Sequence, residues 1–395
     1  MPHRTSLHSL RAYRHGCAIV AIPAYNEADQ IERCLAALAV QRDASGAPVP
    51  EGAFEILIFA NNCSDATAEI ARKFAASVPH PVTVVEEHLP RDKLSAGWAR
   101  KRSMDLAAAS LNNKGSNGII LTTDADSSVA PTWFAATIKE FERGVDCVAG
   151  YIDANPLEIV SLGRRFLGRG RLEDTYLRLI AEIYARCDDQ LHDPWPNHRV
   201  SSGASLAVTL AAYTAIGGLP PRAVGEDSAL TETLKRAGFK VRHSMDVSVS
   251  TSCRLDGRAQ GGAADTMRLR HAEPDAPCDD DIEPALKTVR RAIYRGRLRK
   301  LLNGKPAPYN APRAQRILDI AMQGMASDAV FDDVWQKLCR DTPALQLGGP
   351  LRPSQLPRQI AMANIVLRQL RLPVRSPKIV PGDTPLGAEA LARAI

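Results

Sequence analysis

The chain has 395 residues, 45% of them hydrophobic and 24% charged, the balance of an ordinary folded protein and not of a disordered one. Its 50 basic and 44 acidic side chains leave a formal charge of +6, which suits anionic ligands such as phosphates but falls well short of a nucleic-acid-binding composition. No stretch approaches the roughly 20 apolar residues that span a bilayer.

The basic start MPHRTSLHSLRAYRHG lacks the apolar centre of a secretory leader and reads as an N-terminal extension, 1–16. Five short apolar runs rich in β-branched residues follow, at 17–23, 55–62, 82–87, 118–124 and 147–152. Such continuous runs predict strands buried on both faces, as in a parallel sheet. Between them the apolar residues recur at helical spacing. Ile31, Cys34, Leu35 and Leu38 mark one predicted helix, and Ile70 and Phe74 a second. Segments 96–111 and 132–144 predict two more, the last ending at Gly144. Strand and helix in alternation predict an α/β fold with a wound, mostly parallel sheet.

From about residue 160 the pattern changes. Residues 171–187 read as a long helix, then a loop broken by prolines carries Trp195, and 225–241 reads as a helix leading into a strand. The loop 251–262 carries two basic residues, Arg254 and Arg258. Beyond a soft boundary near 270 the chain is helical with Pro-rich breaks. The eight cysteines show no C-x-x-C pair and several lie inside apolar runs. Reduced thiols in a cytoplasmic setting are therefore expected.

In wound α/β sheets ligands bind beyond the carboxyl ends of the strands. Polar residues gather at three such ends: Pro23-Ala24-Tyr25-Asn26-Glu27, Asn61-Asn62 and Asp124-Ala125-Asp126. Two carboxylates two residues apart are either a polar turn or a cation site that holds a phosphate. A calcium loop of the EF-hand kind is excluded, because the positions needing Gly and Glu hold Val129 and Ala135.

The ordered set AIVAIPAYNEADQIERCLAAL, FEILIFANNCSDATAEIA, GWARKRSMDLA, IILTTDADSSVAPTWF, SGASLAV, AIGGLP and GEDSALTETLKRAGFKV resembles glycosyltransferase family 2, and the spacing of the last three resembles a bacterial branch of it. The resemblance runs from about residue 17 to about 262. It implies a GT-A fold: a Rossmann-like nucleotide-binding half at 17–152, an acceptor half at 153–270, and a helical region of unassigned role at 271–395. It further implies a single-transfer, inverting chemistry in which a nucleotide sugar is the donor and a divalent cation, Mn or Mg, neutralises the departing diphosphate. A retaining transferase of the same fold and a non-catalytic nucleotide-sugar-binding protein stay open as rivals.

The resemblance also assigns residues. Asp126 takes the metal, with Asp124 sharing it or facing the donor. Pro23, Ala24, Tyr25, Glu27, Asn61, Arg100 and Ala125 line the donor site, although Lys101 stands where relatives commonly carry Asn after the arginine. Asp227 of the Glu226-Asp227 pair is the base that deprotonates the acceptor hydroxyl. Gly203, Ala204 and Ser205, with Trp195, lie near sugar and acceptor, and Ser205 replaces a frequent Asn. Arg254 and Arg258 are candidates for closing over the diphosphate. The acceptor is a small molecule or a lipid. The basic stretch Lys287–Lys305 either packs on the catalytic domain or rests peripherally on an anionic membrane near such a lipid. His198 and His243 read as structural histidines.

Overall fold

The computed structural model describes residues 17–115, 117–257, 261–304, 316 and 330–372. Their packing divides the described chain into two units, one from Met1–Arg164 and Asn197–Ala272, the other from Arg165–Pro196 and Glu273–Ile395.

The first unit is built on an eight-stranded sheet. Its strands are β1 (Ala18–Ala24), β2 (Glu55–Asn61), β3 (Val82–Glu87), β4 (Ile119–Thr122), β5 (Ser127–Val129), β6 (Cys147–Ala154), β7 (Leu206–Thr209) and β8 (Val241–Thr251), in the order β3-β2-β1-β4-β7-β6-β8-β5. The pairs β2–β3, β1–β2, β1–β4 and β6–β8 are parallel. β7 runs antiparallel to both β4 and β6, and β5 antiparallel to β8.

The two-residue period of the strands explains why the central ones are apolar throughout. Val20, Ile22, Ile56 and Ile58 enter one core; Ile19, Ala21, Leu57 and Phe59 enter the other. The first core is covered by helices α1 (Ile31–Ala39), α2 (Thr67–Ala75) and, further on, by Trp133, Phe134, Ile138 and Phe141. The second is covered by α3 (Ala96–Asn113) through Met104, Ala107 and Leu111. Next in the chain come α4 (Trp133–Glu142), α5 (Pro156–Ser161) and α6 (Gly163–Cys187), then α7 (Leu210–Ala215), α8 (Glu226–Arg236) and α9 (Ala263–Ala272).

One consequence of the mixed topology positions the site. β7 pairs with β4 so that Leu206 stands opposite Thr122. The turn Gly203–Ser205 that opens β7 therefore lies beside the carboxyl end of β4, where Asp124 follows.

The second unit joins most of α6 to α10 (Ala285–Leu302), α11 (Phe331–Asp341) and α12 (Leu356–Leu370). Tyr176, Ile180 and Ile183 of α6 share a core with Val289, Ala292, Ala363 and Leu367. A methyl group on Gly296 would lie 1.8 Å from the Cys187 carbonyl oxygen, so the absent side chain is what lets α10 pass the end of α6. The stretch Lys287–Lys305, considered above for a membrane surface, instead buries Val289, Ala292 and Leu298 within its own unit. Arg291 pairs with Glu283, and Arg295 and Arg299 with Asp188. Leu286 is exposed. Lys305 lies outside the described residues. No helix among the described residues is long and apolar enough to cross a membrane.

Asp188 shows how this unit depends on charge. Its carboxylate accepts from Arg299 at 2.6 and 3.0 Å and from Arg295 at 3.3 Å. Burial opposes its ionisation, but the two guanidinium groups outweigh burial and hold its pKa below the ordinary 3.8. A lowered folded-state pKa contributes stability that is present above 3.8 and lost as pH falls through the lower, folded-state value. Asp188→Asn is expected to cost about 3–5 kcal/mol at neutral pH, because it removes the charge that balances two part-buried arginines. Urea unfolding at pH 7 and pH 3 checks this: the gap from the wild type should shrink at the lower pH.

Candidate active site

β4 ends at Thr122, and the chain turns at once. The Ser127 N–H donates to the Asp124 carbonyl at 3.0 Å, so Asp124-Ala125-Asp126 is a turn and not an extended segment. The two carboxylates are consequently held by different partners. Asp124 accepts from Arg100 Nη2 at 2.6 Å, whereas Asp126 meets Arg254 Nη2 at 3.1 Å. Ala125 is buried beneath them.

Arg100 ties the site together. It follows the Ser95 cap of α3 and is 5% exposed. Nε donates to Glu226 Oε1 at 3.0 Å, Nη1 to Thr122 Oγ1 at 3.1 Å and to the Gly203 carbonyl at 2.9 Å. Burial works against its charge, but Asp124 and then Glu226 outweigh burial and hold its pKa above the usual value. Two glycines make room for this pairing. A Cβ on Gly203 would fall 2.1 Å from the guanidinium carbon, and one on Gly97 would fall 2.1 Å from the Arg222 carbonyl oxygen.

α8 begins at this point. Gly225 precedes it with φ +74°, a left-handed conformation that glycine adopts without strain. Glu226 turns inward to Arg100. Asp227 stays at the surface of the first turn: Oδ2 accepts from the Gly203 N–H at 3.0 Å and Oδ1 from the Ser228 N–H at 2.7 Å. Gly203 thus touches Arg100 through its carbonyl and Asp227 through its amide. Ala204 and Ser205 are buried, and the Ser205 hydroxyl accepts from the Trp133 indole at 2.9 Å, facing the core.

At the ends of β1 and β2 the backbone turns through Asn26 and Asn62, both left-handed with φ +53° and +52°. Asparagine tolerates this conformation better than other side-chain-bearing residues. Pro23 and Ala24 still pair with Phe59 and Ala60, and Tyr25 beyond them is exposed. The Asn26 Oδ1 accepts from the Ser64 N–H at 2.8 Å. Glu27 is buried, and its carboxylate is bridged by both terminal nitrogens of Arg254. Asn61 is buried, and its Oδ1 finds no partner among the described residues; the hydroxyl of Thr123 is in the same position. These two atoms lie at the carboxyl ends of β2 and β4, on either side of β1.

Arg100, Asp124, Glu226, Gly203 and Asp227 therefore form one connected group, and Glu27, Asp126 and Arg254 a second, with Asp124 and Asp126 joining them along the chain. Trp195 belongs to the other unit, where it is exposed. Arg258 lies outside the described residues. His198 donates from Nε2 to the Ala149 carbonyl at 3.1 Å and packs edge-on against His243, with ring centres 5.5 Å apart.

Several contributors carry no local signal in the sequence. Arg33 of α1 donates to the Asp126 carbonyl at 3.0 Å and to Glu158 at 2.8 Å. Glu158 also accepts from Ser252 Oγ at 2.6 Å and from the Cys253 N–H at 2.7 Å, which fixes the start of the loop that carries Arg254. Thr67 Oγ1 accepts from the Glu27 N–H at 2.8 Å, and Thr251 Oγ1 reaches Asp126 Oδ1 at 3.4 Å.

Burial and then the neighbouring Asp124 push the Asp126 carboxyl up to about 7, with Glu27 adding to the rise and Arg254 opposing it. A carboxylate this short of positive charge suits a divalent cation. No group of three or more His, Cys, Asp or Glu side chains among the described residues is arranged to hold a metal ion by itself. Hard cations that bind with phosphates take only one or two protein carboxylates, so the oxygen-only set of Asp126 and Asp124 fits that mode.

A curated relative, the glycosyltransferase AglE of Haloferax volcanii, is 27% identical over 227 residues, covering 52% of this chain and 68% of the relative. Similar solved structures include a mannosyltransferase of Pyrobaculum calidifontis in complex with GDP-Man and Mn2+, at 18% identity and a TM-score of 0.42, with 88% of this chain and 86% of that one covered. S. aureus TarS in complex with UDP is similar at 13% identity and a TM-score of 0.42, covering 89% of each chain. The model of glycosyl transferase family 2 matches residues 19–190. That stretch runs from the first strand through the Asp124-Ala125-Asp126 turn, so the part of the chain that carries the Asp124–Asp126 turn is similar to glycosyl transferase family 2.

Proposed function

We propose that this glycosyltransferase moves a sugar from a nucleoside diphosphate to an acceptor hydroxyl, one transfer at a time and with inversion. It does so in the reducing cytoplasm, a setting that its eight free cysteines suit. The observation that carries the reading is the Arg100 group, which gathers the end of β4, the turn before β7 and the start of α8 around one guanidinium. That arrangement supports a reading in which a donor site and a base stand side by side on rigid elements.

In this reading Tyr25, Glu27 and Asn61 hold the nucleoside, with the orphaned Asn61 oxygen accepting from the base or ribose. Asp126 and Asp124 hold Mn2+ or Mg2+, which as a Lewis acid neutralises charge on the departing diphosphate. Arg254 and Arg258 supply positive charge from the loop after β8. Asp227 accepts the acceptor's proton at a carboxylate oxygen as the hydroxyl attacks the anomeric carbon. The Gly203 and Ser228 amides orient that carboxylate without neutralising it. Arg100 and Glu226 position these parts and touch neither reactant.

The test is thermal unfolding with Mn2+ and a panel of UDP, GDP, dTDP and CDP, alongside Asp126→Ala. A ligand at one hundred times its dissociation constant adds about 2.7 kcal/mol of stability. One nucleotide is expected to raise the midpoint, only with metal and only with Asp126 intact. A panel with no shift would remove the donor site. A β-to-α comparison of donor and product linkage then separates inversion from retention.

A further inference from the structure

The reading above leaves one residue in an unexpected place. Arg254, a candidate for the diphosphate, is bound to the protein's own carboxylates. Nη1 donates to Glu27 Oε2 at 2.8 Å, and Nη2 reaches both Glu27 Oε1 and Asp126 Oδ2, the latter at 3.1 Å. Its guanidinium therefore lies on the carboxylate that the proposed cation needs.

The two arginines of the site differ in how they are held. Arg100 is buried and pinned by neutral partners as well as by acids, since it donates to Thr122 and to the Gly203 carbonyl. Arg254 has a side chain 23% exposed, and its guanidinium meets Glu27 and Asp126. Around the two arginines stand the carboxylates of Glu27, Asp124, Asp126 and Glu226, with Asp227 beyond Gly203. Acids outnumber the two guanidinium charges, which favours a further cation. A dication cannot share Asp126 Oδ2 with a guanidinium nitrogen, however, because like charges at contact distance repel strongly in a part-buried site.

The anchoring of the loop makes an exchange local. Ser252 N–H donates to the Asp126 carbonyl at 3.3 Å, and Glu158 holds Ser252 and Cys253. The root of the loop is fixed to the metal turn itself, while Arg254 has a long side chain that swings without moving that root.

Resting on the donor-site reading, we infer that Arg254 is the resident counter-ion of Asp126, displaced by the divalent cation and transferred to the donor's diphosphate. The guanidinium fork that bridges Glu27 and Asp126 has the geometry to take two phosphate oxygens. Metal alone must compete with Arg254 for Asp126. Metal arriving with a nucleoside diphosphate gives Arg254 a new partner. The two ligands should therefore bind cooperatively, and Arg254 is the source of the coupling.

The experiment measures Mn2+ binding through the electron paramagnetic resonance signal of the free ion, with Mn2+ alone and with UDP or GDP added. Wild type, Arg254→Ala, Arg254→Lys and Asp126→Ala are compared. An arginine beside an aspartate stabilises the charged form by roughly one to three powers of ten, so Arg254→Ala should bind Mn2+ alone about tenfold or more tightly than the wild type. The same variant should lose most of the gain in Mn2+ affinity that the nucleotide confers. Arg254→Lys, which keeps the charge without the fork, should fall between the two. Unchanged or weaker binding of Mn2+ alone by both Arg254 variants would overturn the exchange, and loss of binding in Asp126→Ala would show that the donor-site reading still stands. Nucleotide binding that needs Arg254 but is indifferent to Mn2+ would also overturn it, since the guanidinium would then be the permanent cation. No Mn2+ binding by the wild type under any condition would sink the cation site and the exchange together.

Discussion

Arg100→Met is expected to lose about 3–5 kcal/mol of stability, the usual cost of removing one partner from a buried ion pair, and to lose donor binding with it. The size follows from what the guanidinium leaves behind. Glu226 is buried and would lose the cation that now stands at 3.0 Å. The Gly203 carbonyl and the Thr122 hydroxyl would each lose a donor. Arg100→Lys keeps a charge but not the planar fork, and an ammonium cannot reach Asp124, Glu226 and Gly203 together. It should recover part of the stability and little of the donor binding. Adding Glu226→Leu to Arg100→Met should restore part of the stability too, because the uncompensated buried acid is then gone. Urea midpoints for the four proteins measure this directly. A loss within about 1 kcal/mol for Arg100→Met, the scale of an exposed pair, would mean that the guanidinium is dispensable and the site is held by other contacts.

Asp227→Asn should lower turnover by about 10²–10⁴ while leaving donor affinity near the wild-type value. The substitution is nearly isosteric, and the amide oxygen still accepts from the Gly203 N–H that now binds Oδ2 at 3.0 Å. What the amide lacks is the capacity to take a proton. Single-turnover kinetics with the active nucleotide sugar, beside the Mn2+-dependent thermal shift, separates chemistry from binding. A variant that turns over within tenfold of the wild type would end the case for Asp227 as base and favour the retaining alternative.

The parts of this site legible in the sequence are those that a strand end announces. Each of the five apolar runs became a strand; β1, β2 and β4 are buried on both faces, which forces a continuous apolar pattern, whereas β3 at the sheet edge is only half-buried. The polar clusters at 23–27, 61–62 and 124–126 stand where those strands stop. Arg100 was visible as a residue but its burial was not: the helix α3 has no strong apolar stripe around it, and its partners lie up to 126 residues away. The role of β7 was equally hidden. Leu206–Thr209 is a four-residue strand whose antiparallel insertion between β4 and β6 is a property of the sheet, not of LAVT itself. Arg33 and Glu158 form an ion pair across 125 residues, and neither has a neighbour that hints at the other. The packing of Arg165–Pro196 with residues beyond 273 is unreadable for a related reason: an amphipathic helix specifies that it needs a partner, but not which one.

The long separations between partners have a consequence for the chain as it is made. β1 to β4 emerge from the ribosome before residue 123, but Glu226 and Arg254 follow about a hundred residues later. At ordinary rates of synthesis the stretch from Arg100 to Arg254 takes roughly 8–30 s. During most of that interval the nascent protein holds Glu27 and Asp126 without Arg254, and Arg100 without Glu226. The half-made site is thus out of charge balance in two places until β8 and the start of the loop after it have left the tunnel.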